Sequence, residues 1–194
     1  MEILGKILGS PARVKLMRLF LQNRAKVYRT KDIQKHSRVT PNVLSRELRL
    51  LSSVGFIKRR GGEWSLNPSF RYANELEELL INTDTLDTDA VLDTLKSSGR
   101  VKLIIVSGIF LKNRDTRIDL LVVGDNLKRG RIETGVRKME AEIGAELTYA
   151  IFDTKEFIYR LNMYDKLIRD ILDFPHTVLL RSKDLNIEAH PPTA

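Results

Sequence analysis

Asn42, Ser45, Arg46 and Arg49 stand at i, i+3, i+4 and i+7, a spacing that places all four on one face of a helix. Arginine can pair with the groove edge of guanine and asparagine with that of adenine, while serine and threonine hydroxyls, Thr40 among them, commonly hold phosphates. Leu44, Leu48 and Leu51 fall on the opposite side at spacings of four and three, so they pack inward and leave the polar face outward. Such a face is basic and short enough to enter a DNA major groove. The same pattern also fits a helix face that only meets solvent.

Charge separates these readings, because the cations are concentrated. Residues 1–72 hold 16 of the 33 Lys and Arg but only 4 of the 25 Asp and Glu, a net +12, whereas the remainder, 17 against 21, carries −4. A solvated surface normally mixes both signs; a concentrated basic region attracts polyanions by releasing counterions from their phosphates. Other chemistries find less support. The absence of cysteine excludes disulfides, thiolate metal sites and a cysteine nucleophile. His36, His176 and His190 lie far apart and form no ligand motif. The longest apolar runs, such as 103–106 and 120–123, are far short of the roughly 20 residues a membrane span needs, so no membrane partner is expected. Arg13, Lys15 and Arg18 interrupt any secretory-type apolar core, and the expected location is the cytoplasm.

The elements that would position the polar face follow in order. Ser10-Pro11 starts a core helix carrying Val14, Leu16, Met17, Leu19, Phe20 and Leu21. Thr30 is placed to cap a short helix with Ile33, residues 37–39 turn, and Thr40-Pro41 begins the third helix, which Gly55 can end. Phe56 to Arg60 reads as a strand with a basic end, Gly61-Gly62 as a hairpin turn, and Glu63 to Leu66 as the return strand. Trp64, alternating with polar Glu63 and Ser65, is expected to pack inward. This order, with "LRLLSSVGFI" at 48–57, resembles the winged helix-turn-helix of ArsR-like and MarR-like regulators over residues 7–67. The resemblance implies that the helix after Thr40 lies in the major groove. It also implies that Lys58, Arg59 and Arg60 lie along the adjacent backbone or minor groove, and that Arg29, Thr30 and Lys31 contact phosphates.

Beyond the basic region the charge reverses. Residues 74–94 contain seven acids and no Lys or Arg, with Leu76 to Ile81 and Val91 to Leu95 suggesting helices. From Gly99 onward strands alternate with helices: strands are expected at 101–106, 118–123, 146–152 and 177–180, and helices at 132–143, 157–161 and 167–172. The expected architecture is therefore α/β (α+β): a DNA-binding domain over 1–72, an acidic helical connector over 73–98, a small mixed-sheet domain over 99–183, and a tail over 184–194.

The segment "VSGIFLKNRDTRIDLLVVGD", 106–125, resembles the nucleotidyltransferase core of the DNA polymerase beta superfamily. There a Gly-Ser turn precedes an Asp-x-Asp pair that, with a third acid on a later strand, holds divalent metal on the nucleotide phosphates. Here the turn reads Ser107-Gly108. Asp119 matches the second acid of the pair, Arg117 stands at the first, and Thr148 falls at the third, with Glu146 two residues away on the same expected strand face. Two-metal catalysis is not expected, and no catalytic residue, metal ligand or cofactor is assigned. Asp119 can be structural or a ligand, and Arg117 with Ser107, Gly108, Lys112 and Arg114 can bind the phosphate of a nucleotide effector.

The leading expectation is a transcriptional regulator that binds double-stranded DNA as a homodimer, its second domain serving assembly or effector sensing. The alternatives are an active nucleotidyltransferase with a nucleic-acid-docking module, and an antitoxin-like protein-binding adaptor.

Overall fold

The computed structural model describes residues 3–82, 88–113 and 116–185. Its helices and two sheets make an α/β protein. By contacts the chain divides into two units, Met1–Thr85 with Arg137–Glu146, and Leu86–Val136 with Leu147–Ala194.

In the first unit a short helix, α1 (Ile3–Ile7), precedes α2 (Pro11–Gln22). Ser10 Oγ accepts the Arg13 N–H at 3.2 Å, and Pro11 sits at a helix start, where its missing N–H leaves no bond unmade. Val14, Leu16, Met17, Leu19, Phe20 and Leu21 are all buried, so α2 is enclosed on nearly every side and forms the post of this core. A two-residue strand, β1 (Tyr28–Arg29), leads into α3 (Thr30–Ser37), which buries Ile33. Arg38, at φ 54, turns the chain into α4 (Pro41–Ser53).

Leu44, Leu48 and Leu51 of α4 are buried, as their spacing requires. Gly55, at φ 77, ends the helix in the left-handed region, and the Phe56 N–H donates back to Leu51 O at 2.9 Å. The hairpin follows: β2 (Ile57–Arg60), Gly61 and Gly62 at φ 59 and 85, then β3 (Glu63–Leu66). Two successive positive φ angles define the turn whose twist suits a tight hairpin. β3 lies centrally in an antiparallel sheet of order β1-β3-β2, with Arg29 and Arg60 both opposite Glu63, and Tyr28 and Arg59 both opposite Trp64. After it comes α5 (Ala73–Glu77), which widens into one π-helical turn over Glu78–Asn82 with Leu80 buried. The even α-helix expected from Leu76 to Ile81 is thus replaced by a change of winding.

The second unit runs α6 (Thr88–Lys96), β4 (Arg100–Val106), a 3-10 turn at Gly108–Leu111, β5 (Leu120–Asp125), and α7 (Arg129–Ile143), whose residues to Val136 belong here. It continues with β6 (Tyr149–Asp153), α8 (Thr154–Asn162), α9 (Lys166–Asp173) and β7 (Thr177–Arg181). The sheet order is β6-β5-β4-β7; β5 and β6 are parallel and the other pairs antiparallel. Leu103, Ile105, Leu121 and Val123 share a buried cluster with Phe157, Ile168 and Ile171, so α8 and α9 cover one face of the central strands. The alternate residues Ile104, Val106, Leu120 and Val122 are equally buried, which explains why these strands read as continuous apolar runs. Arg114, residues 83–87 of the acidic stretch and residues 186–194 of the expected tail lie outside the described residues.

Candidate functional site

On α4, Asn42, Ser45, Arg46 and Arg49 are all exposed and stand opposite the buried leucines. Thr40, also exposed, occupies the N-cap position without making a side-chain cap. What holds this face in place is Glu47, which has the helical phase of Leu44, Leu48 and Leu51 and is 1% exposed. Its Oε2 accepts from Arg13 Nε of α2 at 2.9 Å, and its Oε1 lies 3.4 Å from Arg46 Nη2. Arg13 also donates to Leu8 O at 2.6 Å. Burial pushes the Glu47 carboxyl up, but the hydrogen bonds from Arg13, Ser10 and Arg46 and the Arg13 charge outweigh it and hold the pKa below the ordinary carboxylate value. A single carboxylate thereby ties α4 to α2 and touches the guanidinium at the centre of the polar face.

The three-stranded sheet carries a second set of cations. Alternation along β2 separates the run 58–60: Lys58 and Arg60 project to one face with Glu63, Ser65 and Arg29, and Arg59 to the other with Ile57 and Trp64. The three basic residues that the resemblance places along the DNA backbone or minor groove are thus divided between the two faces of the sheet. The Arg59 guanidinium lies 5.2 Å from the centre of the Trp64 ring, and the indole N–H donates to Thr30 Oγ1 at 3.1 Å. Trp64, 8% exposed, is a packing residue, as its alternation with Glu63 and Ser65 suggests. Thr30 is not the helix cap expected of it, because its hydroxyl serves Trp64; instead Asp32 accepts the Arg29 N–H at 3.3 Å, half of a capping box. Arg29 Nε lies 3.5 Å from Glu63 Oε1. Lys31 is exposed in the first turn of α3, and the structure adds exposed Lys35, one turn on, and Arg38 in the turn before α4.

In the second unit, Ser107, Gly108 and Asp119 do meet, but the polar side-chain atoms of Ser107 and Asp119 are taken up by neighbouring backbone groups. Asp119 Oδ1 accepts the Ile109 N–H at 2.9 Å and Oδ2 the Thr148 N–H at 2.8 Å, while the buried Ser107 hydroxyl donates to Ile118 O. Gly108 has φ 57, and a Cβ there would sit 2.1 Å from Asp119 Oδ1, so glycine is required by both conformation and space. The carboxylate is a clamp between the turn after β4 and the start of β6. Beside it, Thr148 O accepts from the Asp119 and Leu120 N–H groups where β5 and β6 begin, two and three residues later than the apolar runs suggest. Glu146, expected on a strand face, precedes β6 and lies on no strand.

Arg117 Nε pairs with Asp170 Oδ2 of α9 at 3.2 Å, giving the cation at the first acid's position a partner. Lys112 is exposed after the 3-10 turn, at φ 58. Among the described residues no three His, Cys, Asp or Glu side chains converge to hold a metal, and no helix is long and apolar enough to cross a membrane. Compared with known proteins, the chain matches no family model, no curated protein and no solved structure.

Proposed function

We propose that the first unit is a winged helix-turn-helix that binds double-stranded DNA and that the protein is a transcriptional regulator. The observation that carries this reading is the exposed Asn42, Ser45, Arg46 and Arg49 face on a helix whose opposite side is wholly buried. In this reading α4 enters the major groove, Arg46 and Asn42 contact base edges, and Ser45, Arg49 and Thr40 hold the flanking phosphates. Lys58 and Arg60 of the hairpin, with Arg29 and Lys31, follow the neighbouring backbone. Glu47 ties α4 to α2 through Arg13, so that the register of Arg46 is set before DNA arrives.

The second unit is proposed as a scaffold for assembly or effector sensing. Asp119 is engaged by two backbone amides and Arg117 by Asp170, which supports a non-catalytic role. Pairing of two copies would set two recognition helices about one helical turn apart and favour near-palindromic sites. The test is fluorescence anisotropy of a labelled duplex across a salt series. Binding that weakens steeply with salt, and that Arg46→Ala and Arg49→Ala each reduce, supports the reading; no binding at low salt overturns it.

A further inference from the structure

The outer face of the three-stranded sheet holds one acid among three cations. Glu63 of β3 stands directly opposite Arg29 of β1 and Arg60 of β2, and Lys58 lies two residues along the same face. Side chains directly opposite on neighbouring strands are within reach of one another. Glu63 is in ion-pair contact with Arg29, at 3.5 Å, and both side chains remain open to solvent, 40% for Glu63 and 78% for Arg29. Placed on the surface that would follow the phosphate backbone, a carboxylate occupies the Arg29 guanidinium that a phosphate would otherwise take. That action does not depend on sequence, since phosphates carry no base identity.

We infer that Glu63 is an electrostatic brake on this sheet: it lowers affinity for any duplex and so raises the share of binding that base contacts on α4 must supply. The inference rests on the DNA-binding reading above. Its physical consequence is a count of counterions. With Glu63 neutralised, Arg29 is released to a phosphate, which displaces about one more counterion and steepens the dependence of log K on log salt by about 0.9. At 0.1 M salt one such contact corresponds to a gain of roughly fivefold to tenfold in affinity.

The experiment is anisotropy of the full chain with a labelled 20-base-pair duplex of random sequence, from low to moderate salt, for wild type, Glu63→Gln and Glu63→Gln with Arg29→Ala. The brake predicts tighter binding and a steeper slope for Glu63→Gln, and loss of most of that gain in the double variant. Wild-type binding with an unchanged affinity and slope in a folded Glu63→Gln protein overturns the brake alone. A gain that persists undiminished without Arg29 also overturns it. No wild-type binding at low salt overturns the DNA-binding reading itself, and the brake with it. If Glu63→Gln does not fold, Glu63→Asp serves: its shorter side chain keeps the charge but withdraws from Arg29, and an affinity between wild type and the gain above is expected, an unchanged one overturning the inference.

Discussion

Removing Arg13 isolates the anchor of the recognition face from the face itself. Arg13 belongs to α2, not to the exposed face of α4 or to the sheet, yet it supplies the 2.9 Å bond to Glu47, whose side chain is 1% exposed. Breaking a buried ion pair by deleting one partner typically costs 3 to 5 kcal/mol, because the remaining charge stays buried without compensation. The Arg13 side chain is 27% exposed and Glu47 keeps Arg46 as a neighbour, so the lower end applies, about 3 kcal/mol for Arg13→Ala. For a chain near 200 residues this lowers the melting temperature by roughly 6 to 12 °C. The assay is intrinsic fluorescence, since Trp64 is the single tryptophan and lies in the same unit.

A pH series sharpens the test. The Glu47 pKa is depressed in the folded protein, so its stabilisation is full above the unfolded carboxylate value and is lost as pH falls through the folded one. Glu47→Gln removes the charge at every pH. Its deficit relative to wild type is therefore largest at neutral pH and shrinks on acidification. An Arg13→Ala protein that melts within about 2 °C of wild type, with a Glu47→Gln deficit unchanged by acid, would refute the anchoring argument.

Four further outcomes follow from the geometry. Arg46→Ala relaxes base preference and costs roughly 1 to 3 kcal/mol of binding, read by competition between duplexes. Lys58→Ala and Arg60→Ala weaken all sequences alike and each reduce the salt slope by about one, whereas Arg59→Ala changes the slope less and shifts Trp64 emission, because its guanidinium covers the indole. Asp119→Ala frees two backbone amides and lowers stability by about 2 kcal/mol or more in chemical denaturation. Gly108→Ala is at least as costly, since the added methyl meets Asp119 at φ 57; a melting temperature equal to wild type would contradict the clamp.

Local patterns made the architecture legible. The leucine phase on α4, the Ser10-Pro11 start of α2 and the Gly61-Gly62 turn each state a backbone requirement in a few adjacent residues, and each element lies where those residues place it. β1 went unread because two residues carry no periodicity; its signal is only the β-forming Val27-Tyr28 pair before Arg29. Glu47 was visible in the same phase as Leu44 and Leu48, but a charged residue is rarely buried unless paired, and its partner lies 34 positions earlier on another helix. The division of Lys58 and Arg60 from Arg59 follows from strand alternation and could have been drawn from the sequence. The pairing of Arg117 with Asp170 and the use of Asp119 by Ile109 and Thr148 depend on segments far apart in the chain, which no local pattern encodes.

DNA binding through α4 is tested most directly by anisotropy of wild type and of the Arg46→Ala, Arg49→Ala double variant against a labelled duplex from about 50 to about 200 mM salt. If α4 reads DNA, wild-type affinity falls steeply across this range and the double variant binds more weakly with a shallower slope. Equal binding by the two proteins, or none by either at the lowest salt, would contradict it.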